Sequence, residues 1–222
     1  MIQPESLSLQ HLVRPAEGEA AKPPLLLLLH GYGSNEYDLF SLTPYLDARY
    51  FVVSARAPYT LMPGSYAWFE LAFTNSGIIS DMAQAESSRA QLIQLIREVV
   101  TAYDADPKQV YLLGFSQGAI MAASVLLTEP EVVAGAALLS GSVPQEPLAG
   151  MAEAERLRDK PVLVLHGLFD DVLPIQHGRQ SRELLGGLPI DLEYHEYAMG
   201  HEISADSLND LVEWLVDRLE AE

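Results

Sequence analysis

The sequence predicts an α/β domain built on a mostly parallel, doubly wound sheet of about seven strands. Short apolar runs alternate with longer amphipathic ones from end to end. Several of the short runs are unbroken Leu and Val, as in strands covered on both faces. With 222 residues and 49% hydrophobic content the chain can bury one large core, so residues 1–222 read as a single domain.

The first predicted strand, Leu7–Val13, alternates apolar and polar residues and suits a sheet edge. Leu25–His30, Tyr50–Ala55, Val110–Gly114, Ala134–Ser140, Val162–His166 and Leu192–Tyr197 supply the other six. Ser80–Tyr103 carries Leu92, Leu95, Ile96, Val99 and Tyr103 at three- and four-residue steps, which makes one apolar helical stripe. A helix after Ser116 is closed by Pro130, and one from near Pro174 by Gly186 and Gly187. In the last helix Leu208, Leu211, Val212, Leu215 and Leu219 face the core, while Asp210, Glu213 and Asp217 face water. Ala57–Ile79 fits neither pattern. It carries Pro and Gly yet is rich in Tyr, Trp, Phe, Leu and Ile, so it reads as a functional loop or as a cover over one end of the core.

A formal charge of -18 repels phosphate backbones and anionic lipid, which argues against a nucleic-acid partner. There are no cysteines, which excludes disulfides, thiolate nucleophiles and Cys-ligated metals. "MIQPESLSLQ" lacks the basic and apolar regions of a secretory signal, and "PLLLLLHG" is too short to span a bilayer. The expectation is a cytoplasmic protein without stable membrane insertion.

The chemistry lies where a buried strand ends. "GFSQG", Gly114 to Gly118, is G-x-S-x-G between a strand and a helix. On a turn that sharp, side chains at Gly114 or Gly118 would strike neighbouring backbone, and the bend lifts the Ser116 hydroxyl clear of the sheet. A capping serine in an ordinary tight turn is the bland alternative. A serine needs a base to take its proton, and the base needs a carboxylate to fix its tautomer. Both follow on later strand ends. "HGLFDDVLP" exposes Asp170 and Asp171, and "MGHEIS" exposes His201 before the last helix. Of the other histidines, His11 and His195 sit inside strands, His30 and His166 end strands, and His177 lies in a helix. The developing oxyanion would be met by the backbone N–H of Gln117 and of Tyr32, the latter in "HGYGSNEYDL".

Taken in order, "LLHGYGSNEYDL", "YAWFEL", "GFSQGA", "ALLSG", "HGLFDDVLP" and "MGHEI" resemble the phospholipase/carboxylesterase family of α/β-hydrolases, which includes bacterial carboxylesterases and acyl-protein thioesterases. The resemblance runs from about residue 25 to the C-terminus. It implies Ser116 as nucleophile, Asp170 as acid, His201 as base, Tyr32 and Gln117 as oxyanion donors, and Trp68 and Leu173 on the acyl side. Asp171 falls where many relatives have proline or another residue. Two adjacent carboxylates result, of which only one can face His201.

The reading is therefore a serine hydrolase of carboxylic esters with short to medium acyl chains. A thioesterase or lysophospholipase on the same site is the close alternative, and a ligand-binding protein on a hydrolase fold is the remote one. No large cap domain fits the length, so the site should be shallow and open. No cofactor and no metal are expected. The partner is a small ester or thioester, and a homodimer is left open.

Overall fold

Leu25–Leu29 has no exposed surface on any of its five leucines. Period-two alternation divides them. Leu25, Leu27 and Leu29 belong to one apolar cluster, and Leu26 and Leu28 to another. A strand with both faces dry has to lie inside a sheet with helices on either side.

The computed structural model describes residues 6–18, 20–74, 77–144 and 148–220. Residues 1–5, part of the stretch read above as no secretory signal, lie outside these, as do 75–76 in the aromatic segment. In chain order the elements are β1 (His11–Arg14), β2 (Leu25–Leu29), α1 (Tyr37–Phe40), β3 (Phe51–Ala55), β4 (Tyr59–Met62) and β5 (Ser65–Ala67). Then come β6 (Leu71–Thr74), β7 (Gly77–Ser80), α2 (Met82–Ala102), β8 (Val110–Phe115), α3 (Gln117–Thr128) and β9 (Gly135–Leu139). The chain ends with β10 (Pro161–Gly167), α4 (Ile175–Gly186), β11 (Asp191–Tyr197) and α5 (Ala205–Glu220).

Seven strands form the main sheet in the order β1-β3-β2-β8-β9-β10-β11. All neighbours are parallel except β1, which runs antiparallel to β3 at the edge. Residues from α2, α3 and α4 cover one face and residues from α1 and α5 the other, which is the α/β-hydrolase arrangement. From β2 the chain first adds β3 on one side and later β8 on the other. The carboxyl ends of β2 and β8 therefore flank a topological switch point, the usual place for a site in an open α/β sheet.

All seven expected sheet strands are present, with one shifted. The first begins at His11 rather than Leu7, because its partner β3 stops at Ala55, opposite His11. The α2 stripe is buried at Leu92, Leu95, Ile96 and Val99, and Asp81 caps the helix by accepting from the Gln84 N–H at 3.0 Å. Asp210 departs from expectation. It is half-buried and accepts a 2.6 Å hydrogen bond from the Tyr197 hydroxyl. The segment Ala57–Ile79 is not irregular. It holds the hairpin β4–β5 and most of β6–β7, each antiparallel and outside the main sheet. Gly64, at φ 79°, makes the turn of the first.

Glycines mark where backbones touch. A Cβ on Gly114 would collide with the carbonyl of Gly118, and one on Gly118 with the carbonyl of Leu29. These contacts press the first turn of α3 onto the ends of β8 and β2. Around Gly186, at the end of α4, nothing lies within 4 Å of the same position. Gly118→Ala should therefore cost at least ~3 kcal/mol of stability or prevent folding, because backbone cannot step aside. Gly186→Ala should be neutral or stabilise by up to about 1 kcal/mol. Thermal denaturation of the two variants checks the contrast.

Candidate active site

Ser116 sits at the turn between β8 and α3 with φ 54° and ψ −118°, a region that L-residues with a side chain rarely enter. Holding it there costs on the order of 1–3 kcal/mol. The strain is held by the glycine contacts at either end of the elbow and by the Ser116 N–H, which donates to Leu139 O at 2.8 Å. The twelve-residue helix α3 starts at the next residue, so its positive end adjoins the hydroxyl.

Ser116 Oγ lies 3.0 Å from His201 Nε2, and His201 Nδ1 lies 2.7 Å from Asp170 Oδ2. The carboxylate can only accept, so Nδ1 carries the proton and Nε2 is the free base facing the serine. Of the two adjacent carboxylates, Asp170 is the one that reaches His201. Its side chain is fully buried, whereas Asp171 is exposed. Its second oxygen, Oδ1, accepts the N–H groups of Val172 at 3.0 Å and Leu173 at 2.7 Å. That local turn fixes the carboxylate by giving Oδ1 two donors of its own. The Phe115 ring, 4.9 Å from the imidazole, packs beside His201.

The loop after β2 passes against Ser116. A Cβ on Gly31 would lie 3.3 Å from Ser116 Cβ, so a side chain there would press on Ser116. Among the described residues neither the Tyr32 nor the Gln117 backbone N–H donates a hydrogen bond, so both donors are uncommitted beside Ser116. The Tyr32 loop is laced to the first hairpin. Gly33 N–H donates to Tyr66 O at 2.9 Å, Tyr66 N–H to Ser34 O at 2.8 Å, and Asn35 Nδ2 to Gly64 O at 2.9 Å. Behind it Glu36, buried, takes a two-pronged ion pair from Arg56, whose guanidinium lies 4.5 Å from the centre of the Tyr66 ring. Burial would raise the Glu36 carboxyl, but the hydrogen bonds and charge of Arg56 prevail and hold it below the usual range.

The structure corrects the place given to Trp68. Its ring has no exposed surface and belongs to the main core cluster, so it offers a substrate nothing to touch. Its indole N–H donates to His30 O at 2.9 Å, and its own backbone is held by Gln117 and Ser88. Leu173 is half-buried in the acid turn and serves it through its backbone. Three side chains went unread in the sequence. Gln117 bridges the elbow to the hairpin segment, accepting from Trp68 N–H at 2.8 Å and donating to Phe69 O at 2.7 Å. His166, buried behind the acid turn, donates through Nε2 to Leu173 O at 2.7 Å. His30 does the corresponding work behind Tyr32. The signal available in the sequence was the repeated His-Gly at two strand ends.

Two open hollows adjoin the site. One, of about 460 Å³, runs from Tyr32 between Leu61, Leu71, Ala72 and Ile79 to Glu70 and Asp81. The other, of about 300 Å³, lies against His201 and Phe115 and is bounded by Leu39, Leu42, Ile203, Asp38 and Glu202. Among the described residues no group of three or more His, Asp or Glu is arranged to hold a metal ion. Nor is any helix there long and apolar enough to cross a membrane.

A family model described as phospholipase/carboxylesterase matches residues 13–217. The chain belongs to that family. Membership brings with it the reaction class, hydrolysis of carboxylic esters. A probable inactive carboxylesterase of Oryza sativa subsp. japonica is 27% identical, the alignment covering 91% of this chain and 88% of the relative. Acyl-protein thioesterase 1 of Kluyveromyces lactis is 26% identical over 91% of this chain and 95% of its own. Among solved structures, the Bacillus cereus carboxylesterase superposes with a TM-score of 0.82 at 26% identity, covering 95% of this chain and 94% of that one.

Two outcomes follow from this geometry. Asp170→Asn should lower kcat about 10⁴-fold, since the amide would favour the wrong tautomer of His201, while Asp171→Asn should change it less than about threefold. Steady-state kinetics on one activated ester decides between them. Trp68→Ala should destabilise the protein by about 3–5 kcal/mol and leave relative rates across acyl chain lengths unchanged. Denaturant unfolding and a chain-length series check both halves.

Proposed function

We propose that this chain is a serine esterase acting through an acyl-enzyme, with Ser116 as nucleophile, His201 as general base and acid, and Asp170 as the group that orients His201. The observation that carries the reading is the unbroken relay from Ser116 Oγ through the His201 ring to a buried carboxylate, beside two uncommitted N–H donors. As Ser116 Oγ forms its bond to the ester carbonyl carbon, its proton passes to His201 Nε2. The resulting imidazolium is stabilised by Asp170 across the 2.7 Å contact. The carbonyl oxygen, now negative, would be met by the N–H groups of Tyr32 and Gln117. Collapse of the tetrahedral intermediate breaks the bond to the leaving oxygen, and His201 returns the proton to it. Water then repeats the sequence in place of the alcohol, releasing the acid and free Ser116.

The apolar hollow at Tyr32 suits the acyl chain. Leu61, Leu71 and Ile79 take the role that Trp68 is too buried to fill, and a hollow of about 460 Å³ fits short to medium chains. The hollow against His201 suits the leaving group, because the proton donor must reach the departing atom. The inactive label of the rice relative raises the binding-protein alternative. Against it, a receptor has no use for a strained serine with a complete proton relay.

Thioesters remain a second reading, since the same tetrahedral chemistry serves them and one relative is named for that activity. Carriers bearing phosphates are disfavoured. Asp38 and Glu202 border the leaving-group hollow, the chain carries a formal charge of -18, and the cations Arg56 and Arg179 are tied to Glu36 and Glu196. Lysophospholipid esters belong in the same test.

Ser116→Ala and His201→Ala should each lower kcat about 10⁴-fold or more, and the double variant should be little worse than either. Additive losses would show that the two do not act as one unit. A panel of esters, thioesters and lysophospholipids of rising chain length, with Ser116→Ala as blank, ranks the substrates. Raising ionic strength from ~10 to ~150 mM shortens the Debye length from about 30 to about 8 Å. An acyl-CoA should then gain in kcat/KM while a neutral ester of the same acyl group stays flat. A flat acyl-CoA response would remove charge as a determinant of substrate choice.

A further inference from the structure

His30 has no exposed surface, and both ring nitrogens and its carbonyl oxygen are committed. Nδ1 lies 2.8 Å from Gly31 O, Nε2 lies 3.1 Å from Ala57 N, and His30 O accepts from Trp68 Nε1 at 2.9 Å. A carbonyl can only accept and a backbone N–H can only donate, so the ring must be neutral with its proton on Nδ1. Gly31 C=O and Tyr32 N–H are the two ends of one trans peptide plane, and they point in opposite directions. Whatever holds the oxygen aims the N–H.

We infer that His30 is a positioning residue for the oxyanion site: by gripping Gly31 O it turns the Tyr32 N–H toward Ser116. This rests on the hydrolase reading above. Three further observations fit the role. Gly31 is packed against Ser116, so the plane being held is the one beside the nucleophile. The Ala57 contact anchors the ring to the loop after β3, which makes the grip independent of the loop it holds. The Trp68 indole, 5.6 Å away, covers the ring and bonds its carbonyl, which gives that buried tryptophan a function consistent with its place in the core. Burial makes a second proton on the imidazole harder to add. The bond to Gly31 O and the carboxylates Asp38 and Glu36 pull the other way, Arg56 pulls with burial, and burial prevails. Ser34 N–H also reaches Gly31 O, at 3.3 Å, so loss of the ring should weaken the grip without abolishing it.

Two variants separate the ring's two contacts. Asn at this position can place an amide N–H near Nδ1 and keep the bond to Gly31 O, but cannot reach Ala57. Gln places its amide near Nε2, keeping Ala57 and losing Gly31. His30→Gln should lower kcat about 10- to 100-fold with KM within twofold, short of the ~10²–10³ expected for losing an oxyanion donor outright. It should weaken an alkylboronic acid, a tetrahedral mimic, by a similar factor and leave binding of the product carboxylate unchanged. His30→Asn should retain most of kcat and most of the boronic acid affinity. Equal losses for Asn and Gln, or a loss carried by KM, would overturn the assignment. So would a boronic acid affinity that stays constant in His30→Gln. The wild-type protein supplies a measurement that needs no variant to fold. Nitrogen-15 NMR of His30 at pH 8 should show a proton on Nδ1 alone. A ring protonated on Nε2 with Nδ1 bare would overturn the assignment even in a fully active enzyme. A wild-type protein without turnover would instead overturn the hydrolase reading and the kinetic role of His30 with it.

Discussion

Backbone packed directly on backbone at the elbow is the constraint from which the rest of the site follows. Gly118 lies against the carbonyl of Leu29, and Gly114 against that of Gly118. Contacts so close leave no room for a side chain, and they pull the start of α3 down onto the ends of β2 and β8. Ser116, caught between the two glycines, has no relaxed conformation available and takes φ 54°. The strain is a consequence of the packing, and the fold supplies what offsets it: a β2 with every leucine buried and a helix α3 buried almost throughout.

The same device recurs at two strand ends. After β2, the ring of His30 grips the loop that follows it, and Gly31 lets that loop approach Ser116. After β10, the ring of His166 grips Leu173 O in the acid turn. Gly167 there lets the strand end approach the carbonyls of Met199 and Gly200, the residues that lead into His201. In both places histidine rigidifies one loop and glycine admits its neighbour. Gly178 extends the second case, since a Cβ there would run into the His166 ring. The dipeptide therefore repeats for a mechanical reason, although the two loops carry different chemistry.

The sequence made the main sheet legible because unbroken apolar runs have few alternatives once they are too short for helices. Ser116, Asp170 and His201 were legible because each sits where such a run stops. The hairpins β4–β5 and β6–β7 were hidden, since strands of three or four residues are too short to show alternation. Trp68 was misplaced for a related reason. Aromatic content marks a segment as one that buries surface without saying on which side, and here the ring turns inward to hold His30. The roles of Gln117, His166 and His30 depend on hydrogen bonds to carbonyls brought close by folding, which spacing along the chain does not encode.

The central claim is that the elbow activates Ser116, and that this activation belongs to the folded protein. Its most direct test is covalent labelling with a fluorophosphonate followed by peptide mapping. The account predicts one label per chain, on Ser116 alone, formed as the serine oxygen displaces fluoride from phosphorus and lost when the protein is unfolded before exposure. A label on another residue, or labelling of Ser116 that proceeds equally fast in the unfolded chain, would contradict it.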